Sequence, residues 1–546
     1  MLKKYLWLSL LWICGTSFLN GQNTVGVISM DPEAIADGYN LIYPHNQSSV
    51  YLLDNCGRIV HQWSDDEDWR PGNSAFILPN GNLVRCKRPS VPINDPIWAG
   101  GGGAVVEILD WDNKLLHQFE QNDSLYRLHH DIAPMPNGNI LMVVWEYRSF
   151  EESIAAGRDA AKMSQGKVWS EVIWEWDPIQ DSIVWEWKAW DHLIQDHDVT
   201  KANYGQVEDF PQKIDLNYDT HEGHPDWLHI NAIDYNPVLD QFVISVPYFD
   251  EIWVVDHSIS TEEAQGEAGD LLYRFGNPLA YRKGAVTDQK LFFQHDIHWV
   301  NPMASPDDPD FGEMAVFNNR VNPNYSTAHT FFSLEPGTSE YTLQGEVFSP
   351  SEFAQTFFHP DTLATTLSTG LSSIQRLPNG NTLILSGRWG FAYELNADQE
   401  IVWEYVIPIK AGQPVDQGTE LMINNNITFR MDRYPSDFAG FVDQDLSPGI
   451  FLEKNPIAQN CPLIVSTKPS LRLSEKIKFY PNPNAGHIVF EKPLRKKVSV
   501  QIINLQGQVL QAYNLPSGQQ HLNLKPLSPG VYILKMEEQV EKLIIH

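Results

Sequence analysis

Runs in which apolar and polar side chains alternate, such as Ile59-Val60-His61-Gln62-Trp63 and Ile401-Val402-Trp403-Glu404-Tyr405, recur along most of the chain. A period of two is that of a half-buried β-strand. Each run follows an apolar residue and a polar turn and ends in an aromatic, so each reads as a β-hairpin. Clear copies start at Leu53-Asp54, Leu109-Asp110, Trp176-Asp177 and Leu395-Asn396; looser ones run from Val255-Asp256 to Phe275 and from Leu334-Glu335 to Val347-Phe348. A second pattern interleaves with the first. Pro79-Asn80-Gly81-Asn82, Pro136-Asn137-Gly138-Asn139 and Pro378-Asn379-Gly380-Asn381 are near-identical turns flanked by apolar runs. Asn236-Pro237 and Asn301-Pro302 stand at corresponding places, and Asn424-Asn425-Asn426 reads as a last copy. Two hairpins give four strands, one blade of a β-propeller. Six such pairs predict an all-β chain with a six-bladed β-propeller body.

The two ends depart from this pattern. Lys3, Lys4 and the apolar stretch Tyr5 to Ile13 read as a secretory signal over 1–21, too short to span a bilayer. No later segment is apolar for long enough to be a transmembrane helix. The repeat covers 22–462, a linker is expected over 463–475, and 476–546 reads as a small all-β sandwich. The net charge of -31 is unevenly spread: residues 22–475 hold 27 Lys and Arg against 65 Asp and Glu, while the tail holds nine against four. So acidic a body repels phosphate backbones, which excludes nucleic acid as a partner. Beyond the signal remain Cys56, Cys86 and Cys461. One disulfide is open to them, Cys56 with Cys461 or with Cys86.

Candidate chemistry sits just before the repeated turns, on strands that a propeller brings to its central channel. Three of these segments carry histidine: Leu128-His129-His130-Asp131-Ile132, Trp227-Leu228-His229-Ile230-Asn231 and Gln294-His295-Asp296-Ile297-His298. His130, His229 and His295 lie 6, 8 and 7 residues before their turn prolines, which predicts three imidazoles near one level of the channel. Arg320, on the strand after the third histidine segment, is expected to point the same way. Imidazoles and a guanidinium in a dry channel suit a tetrahedral oxyanion. Zinc is the other ligand such histidines suit. Asp131 and Asp296, next to histidines in a strand, are expected on the opposite face. His192, His197, His221 and His224 fall in an irregular acidic stretch, Asp191 to Asp226, read as a long loop over a channel mouth. Gly100 to Gly103 opens no helix and is no phosphate loop.

At these residues the chain resembles the arylsulfotransferase family, over roughly 38–460. The resemblance is carried by His130-Asp131-Ile132 with its Pro-Asn-Gly-Asn turn, Asp226-Trp227-Leu228-His229-Ile230-Asn231, Glu251-Ile252-Trp253-Val254-Val255-Asp256-His257, Gln294-His295-Asp296 and Asn318-Asn319-Arg320. It implies a six-bladed propeller that moves a sulfuryl group from an aryl sulfate to a phenol, without a nucleotide donor, through a sulfated histidine. It further implies catalytic roles for His130, His229, His295 and Arg320, and substrate contacts from Asn231, Asn319, His298 and Thr428. No cofactor and no metal is implied. The family's nucleophilic histidine belongs in the fifth repeat, where this chain reads Ser368-Thr369-Gly370-Leu371-Ser372-Ser373; His359 lies upstream, outside the channel. A non-catalytic propeller binding a sulfated or other anionic ligand is therefore the alternative. In the tail, Tyr480-Pro481-Asn482-Pro483, Leu527-Ser528-Pro529-Gly530-Val531-Tyr532 and the basic end resemble the type A sorting domain of the type IX secretion system. That implies a Bacteroidota-type source, the type IX machinery as partner, and secretion or attachment at the cell surface.

Overall fold

The computed structural model describes residues 23–91, 97–334, 338–360, 366–456, 479–480, 486–490, 492–494, 497–504, 509–536 and 539–545. The chain is all-β, with only short helical turns between strands. Among the described residues, the body holds six antiparallel sheets built on one plan. The first contains Trp69–Ile77, Leu83–Pro89, Val105–Leu109 and Leu115–Glu120, and the second Tyr126–Pro134, Ile140–Ser149, Lys167–Asp177 and Ser182–Lys188. The third contains Ala232–Asn236, Gln241–Val246, Glu251–Asp256 and Tyr273–Phe275. The fourth contains His295–Trp299, Glu313–Asn322, Tyr325–Phe332 and Gln355–Phe357. The fifth contains Ser373–Arg376, Thr382–Ser386, Phe391–Leu395 and Ile401–Val406, with Gly26–Met30 added on its outer edge. The sixth joins both ends of the body: Thr428–Tyr434 is its inner strand, followed by Tyr39–Pro44, Val50–Asp54 and Ile59–Trp63.

The first-named strand of every sheet lies inside. Each inner strand lies against the next, and the sixth against the first. Six apolar clusters fill the gaps between consecutive sheets. Val84, Ile108, Ile140 and Val172 pack between the first and second; Leu41, Leu52, Ile77 and Leu83 pack between the sixth and first. Tryptophans on three outer strands reach the backbone of the neighbouring repeat. Trp63 Nε1 donates to the Asp110 carbonyl at 3.1 Å, Trp187 Nε1 to Gly269 at 2.8 Å and Trp403 Nε1 to Asn55 at 2.9 Å. A buried indole must find such an acceptor, so these residues fix the distance between sheets.

The three Pro-Asn-Gly-Asn turns join inner to second strands in one geometry. Gly81, Gly138 and Gly380 have φ of 84°, 92° and 87°, a conformation glycine adopts without a Cβ penalty. The asparagine before each glycine accepts the amide two residues on, at 3.1, 2.9 and 3.0 Å. Asn424-Asn425-Asn426 is different from the reading above. It precedes the sixth inner strand, and no hairpin follows, because that strand's partner, Tyr39–Pro44, comes from the other end of the body. The expected hairpin from Leu334 to Phe348 is also replaced. Gln355–Phe357 supplies the outer strand, and Leu343–Gln344 pairs only with Val347–Phe348.

Cys86 is a free, buried thiol and Cys56 is in a disulfide, which removes the Cys56–Cys86 pairing. Cys461, the signal segment 1–21 and the linker 463–475 lie outside the described residues. The tail has two small antiparallel sheets, one with Phe479–Tyr480, His487–Phe490 and His521–Asn523, the other with Val498–Ile503, Val509–Leu515, Gly530–Met536 and Gln539–Ile545. Ile488, Phe490, Val500, Ile502, Leu534 and Leu543 form their common core. No helix among the described residues is long and apolar enough to cross a membrane.

Candidate active site where the inner strands begin

The inner strands do not start as regular β. Asn73, His130, His229, Asp296, Leu371 and Ser372 have φ of 101°, 50°, 59°, 59°, 65° and 93°. Positive φ is costly for residues other than glycine and clusters where function demands it. The strand register slips at the same places, between Pro71 and Ala75 in the first sheet and between His295 and His298 in the fourth. Such bulges re-aim side chains. They turn three histidines toward one another at the end of the ring where the inner strands begin.

His130 and His229 meet with ring centroids 4.5 Å apart. His295 completes the group: Phe429 lies between it and His130, with centroids 6.3 and 6.4 Å away, and Phe293 lies between it and His229 at 5.9 and 6.1 Å. All three histidines are buried. Arg320 stands at the solvent side, its guanidinium 3.5 Å from the Phe293 ring centre and its Nε donating to the Thr369 carbonyl at 3.1 Å. A second guanidinium comes from the fifth sheet. A Cβ placed on Gly370 would lie 3.5 Å from Arg388 Nη2 and 3.7 Å from His295 Cε1, so Arg388 and His295 flank that glycine.

Each imidazole has a different partner on Nδ1. For His229 it is the Asp226 carboxylate, at 2.5 Å, whose other oxygen accepts Trp145 Nε1 at 3.1 Å. For His295 it is Asn319 Oδ1 at 2.8 Å. Asn319 Nδ2 donates to the Ser368 and Leu371 carbonyls at 2.7 and 2.8 Å, so its oxygen must accept and His295 must carry its proton on Nδ1. Burial pushes His295 down to about 3, against the pull of that bond. The ring is neutral near pH 7 and presents a lone pair at Nε2. For His130 the partner is His129 Nδ1 at 2.8 Å. Burial holds both rings well below the ordinary histidine range, and the neighbouring His229 adds to this.

The remaining expected residues divide. Asn319 belongs to the site as the positioner of His295. Thr428 is buried, its hydroxyl donating to the Asn426 carbonyl at 3.3 Å and its amide to the Gly387 carbonyl at 3.0 Å, beside the Arg388 turn. Asn231 faces away, its Nδ2 donating to the Gln294 carbonyl at 2.8 Å, a tie between third and fourth sheets. His298 lies beyond Asp296, in a cavity of about 230 Å³ lined also by Asp234, Trp299, Arg376, Arg430 and Asp432. It does not join the three imidazoles because it lies three residues further along the same strand, past the bulge at Asp296. His359 pairs with Glu404 at 3.2 Å, away from the site. The fifth-repeat position is held by Leu371 and Ser372, whose hydroxyl accepts the Gly387 amide at 2.9 Å.

Asp131 and Asp296 correct the alternation argument. The bulges turn both inward, where Arg430 of the sixth inner strand bridges them at 2.9 and 2.8 Å. Burial works against the Arg430 charge, but Asp131, Asp296 and Asp432 outweigh it and hold it above its ordinary range. Asp131 also accepts the Ile233 amide at 3.2 Å and Asp296 the Ile374 amide at 2.8 Å, each in the next sheet. Arg430 thus closes the axis between the imidazole group and the 230 Å³ cavity. Asp226, Tyr248, Phe293, Arg388 and Arg430 were not singled out from the sequence. Asp226 was within reach, three residues before His229 at the end of the long loop. His192 of that loop pairs instead with Asp270 at 2.9 Å, while His221 stacks near Tyr248 with centroids 4.3 Å apart. Among the described residues, no group of three or more His, Cys, Asp and Glu is placed to hold a metal ion.

The body is thus an all-β protein with imidazoles and guanidiniums converging at one end of its inner strands. Its residues 24–404, more than half of the chain, match the Arylsulfotransferase (ASST) family, and the chain belongs to that family. Residues 478–546 match a secretion system C-terminal sorting domain of the type IX kind, which ties the protein to export and to a surface or secreted location. No curated protein matches. Among solved structures, similarity extends to a protein of unknown function from Bacteroides caccae, with TM-score 0.38 and 9% identity over 73% of this chain and 99% of that one. It extends also to apo AztD from Citrobacter koseri, with TM-score 0.33 and 11% identity over 73% and 99%, and to streptogramin B lyase, with TM-score 0.33 and 10% identity over 76% and 96%.

Proposed function

We propose that this protein is a secreted, nucleotide-independent aryl-sulfate sulfotransferase, built as a six-bladed propeller with a sandwich sorting domain at 476–546. The observation that carries this reading is the Asp226–His229 pair facing His130 beneath Arg320. Of the three imidazoles, only His229 has a carboxylate on Nδ1. That bond fixes the tautomer, leaves a lone pair on Nε2, and stabilises the cationic ring that forms when Nε2 is sulfated. His229 therefore takes the nucleophile's role that the fifth repeat lacks. Its Nε2 forms a bond to sulfur as the bond from sulfur to the aryl oxygen breaks. A phenolic acceptor then attacks sulfur, and the S–N bond breaks to restore the ring. Arg320 and Arg388 offer fixed donors to the sulfuryl oxygens. Phe293, Phe429 and Tyr248 surround the site with faces suited to an aryl group.

The signal at 1–21 serves export through Sec, and the type IX machinery is the partner of the tail. The test is turnover of 4-nitrophenyl sulfate with a phenol acceptor, with intact mass measured in the absence of acceptor. The expected result is a mass gain of one sulfuryl group on the peptide holding His229. Leu371 and Ser372 in the fifth repeat favour a second reading, a surface propeller that binds sulfated ligands. Saturable binding of 4-nitrophenyl sulfate with neither turnover nor adduct would establish it and displace the first.

A further inference from the structure

Behind His130 runs a line of buried titratable groups that the transfer as written above does not use. His129 Nδ1 lies 2.8 Å from His130 Nδ1. On its far side, His129 Nε2 lies 2.7 Å from Glu171 Oε2. Side chains of both His129 and Glu171 are wholly buried, and these two atoms have no other hydrogen-bond partner. The contact is close but poorly aligned, as catalytic bonds often are before substrate binds. The line is held from the sides. His129 stacks on Trp145 with centroids 3.9 Å apart and planes 4° from parallel, and Glu171 Oε1 accepts the Ile230 amide at 3.0 Å. At the other end, a Cβ on Gly101 would sit 1.9 Å from His130 Nε2. Glycine at that position, with φ of 82°, lets the Nε2 edge of His130 pack directly against its Cα, where any side chain would collide with the ring.

We propose that Glu171, His129 and His130 form a proton relay, in which His130 is the general acid for the departing aryl oxygen and the general base for the incoming phenol. The inference rests on the sulfuryl-transfer reading above. His229 is occupied as nucleophile, and neutral His295 carries no proton on Nε2. Only His130 has a supply of protons behind it. Burial, with Asp226 nearby, holds the Glu171 carboxyl well above its usual range, so the resting relay is neutral throughout. Glu171 O–H points at His129 Nε2, His129 Nδ1–H at His130 Nδ1, and His130 carries its proton on Nε2. In the first half-reaction the S–O bond breaks, and His130 Nε2–H passes to the aryl oxygen. His129 Nδ1–H then moves to His130 and the Glu171 proton to His129. Glu171 is left as carboxylate, and neutral phenol departs. In the second half-reaction the acceptor hydroxyl gives its proton to His130 Nε2, and the shifts reverse. Asp226 keeps the His229 Nδ1 proton in both.

His130 is the catalytic residue of the three; Glu171 and His129 are positioning residues, so the test needs a readout that a structural role would not move. A donor with a very acidic leaving phenol needs no proton, whereas unsubstituted phenyl sulfate does. The full chain with Glu171→Gln, which pins His129 in one tautomer, is compared with wild type on both donors in single turnover without acceptor, so that only the first half-reaction, release of the donor's phenol, is read. The expected result is a loss of about 100-fold or more on phenyl sulfate with 4-nitrophenyl sulfate turned over within about threefold of wild type. Wild type itself should show a larger solvent isotope effect on phenyl sulfate than on 4-nitrophenyl sulfate, which tests the relay even where the variant fails to fold. Equal losses on both donors, or equal isotope effects, overturn the relay and leave the transferase reading standing. No turnover of either donor by wild type overturns both.

Discussion

The two ends of the inner strands have opposite characters. Where the strands begin, bulged backbone gathers His130, His229 and His295 under Arg320; burial holds His130 and His295 below the ordinary histidine range, and His229 is paired with Asp226. One residue further along two of these strands stand Asp131 and Asp296, and with Asp234 and Asp432 they gather around one guanidinium, that of Arg430. Burial pushes Asp296 up to about 6 and Asp432 up to about 7, in each case against the pull of Arg430. The difference teaches that a positive φ in an inner strand sorts neighbours in sequence to different work: histidines to chemistry at the open end, aspartates to fastening the ring at its axis.

That contrast yields outcomes in order of size. His229→Ala should abolish sulfuryl transfer, with kcat/KM lower by at least about 10³-fold, while its thermal midpoint stays near wild type; steady-state kinetics beside calorimetry reads both. Arg430→Met should do the reverse. It leaves Asp131 and Asp296 buried without their partner, at a cost of about 3–5 kcal/mol, read from urea unfolding. If Arg430→Met proves as stable as wild type, the axis is not fastened there and the comparison fails. Asn319→Ala should lower kcat by about 10–100-fold by freeing the His295 ring, and should cost about 1–3 kcal/mol of stability because the Ser368 and Leu371 carbonyls lose their donor. The smallest effect is Asp432→Asn. The folded pKa of about 7 lies above the unfolded 3.8, so the native state holds the extra proton, and this group's contribution falls as pH rises from about 4 to about 7. The variant should gain stability over wild type at pH 8, and that gain should vanish toward pH 4. A difference that is flat across this range would show that Asp432 does not titrate in the native fold.

Much of this was readable before any coordinates. The Pro-Asn-Gly-Asn turns mark three of the six inner hairpins, because a turn needing positive φ narrows residue choice to Asn-Gly, and Asn236-Pro237 and Asn301-Pro302 mark two more. The sixth inner hairpin was misread at Asn424 because no local signal says that its partner strand is residues 39–44. The imidazole group was legible from turn offsets. Arg430, Arg388 and the inward Asp131 and Asp296 were not, since a bulge shifts the side-chain alternation by one and leaves no fixed residue type behind. The Asp226–His229 pair lay within one quoted segment, yet only the fold shows that the carboxylate turns back onto the ring.

The sixth sheet pairs Tyr39 with Tyr434 and Ile42 with Met431. Nearly four hundred residues must therefore be available before that seam can be sewn, and loop closure over such a span is slow. A chain released from its N-terminus onward cannot complete its body until the last inner strand arrives. Up to that moment the group of imidazoles and guanidiniums, which needs segments from five sheets in contact, does not exist, so the site appears with assembly rather than by degrees.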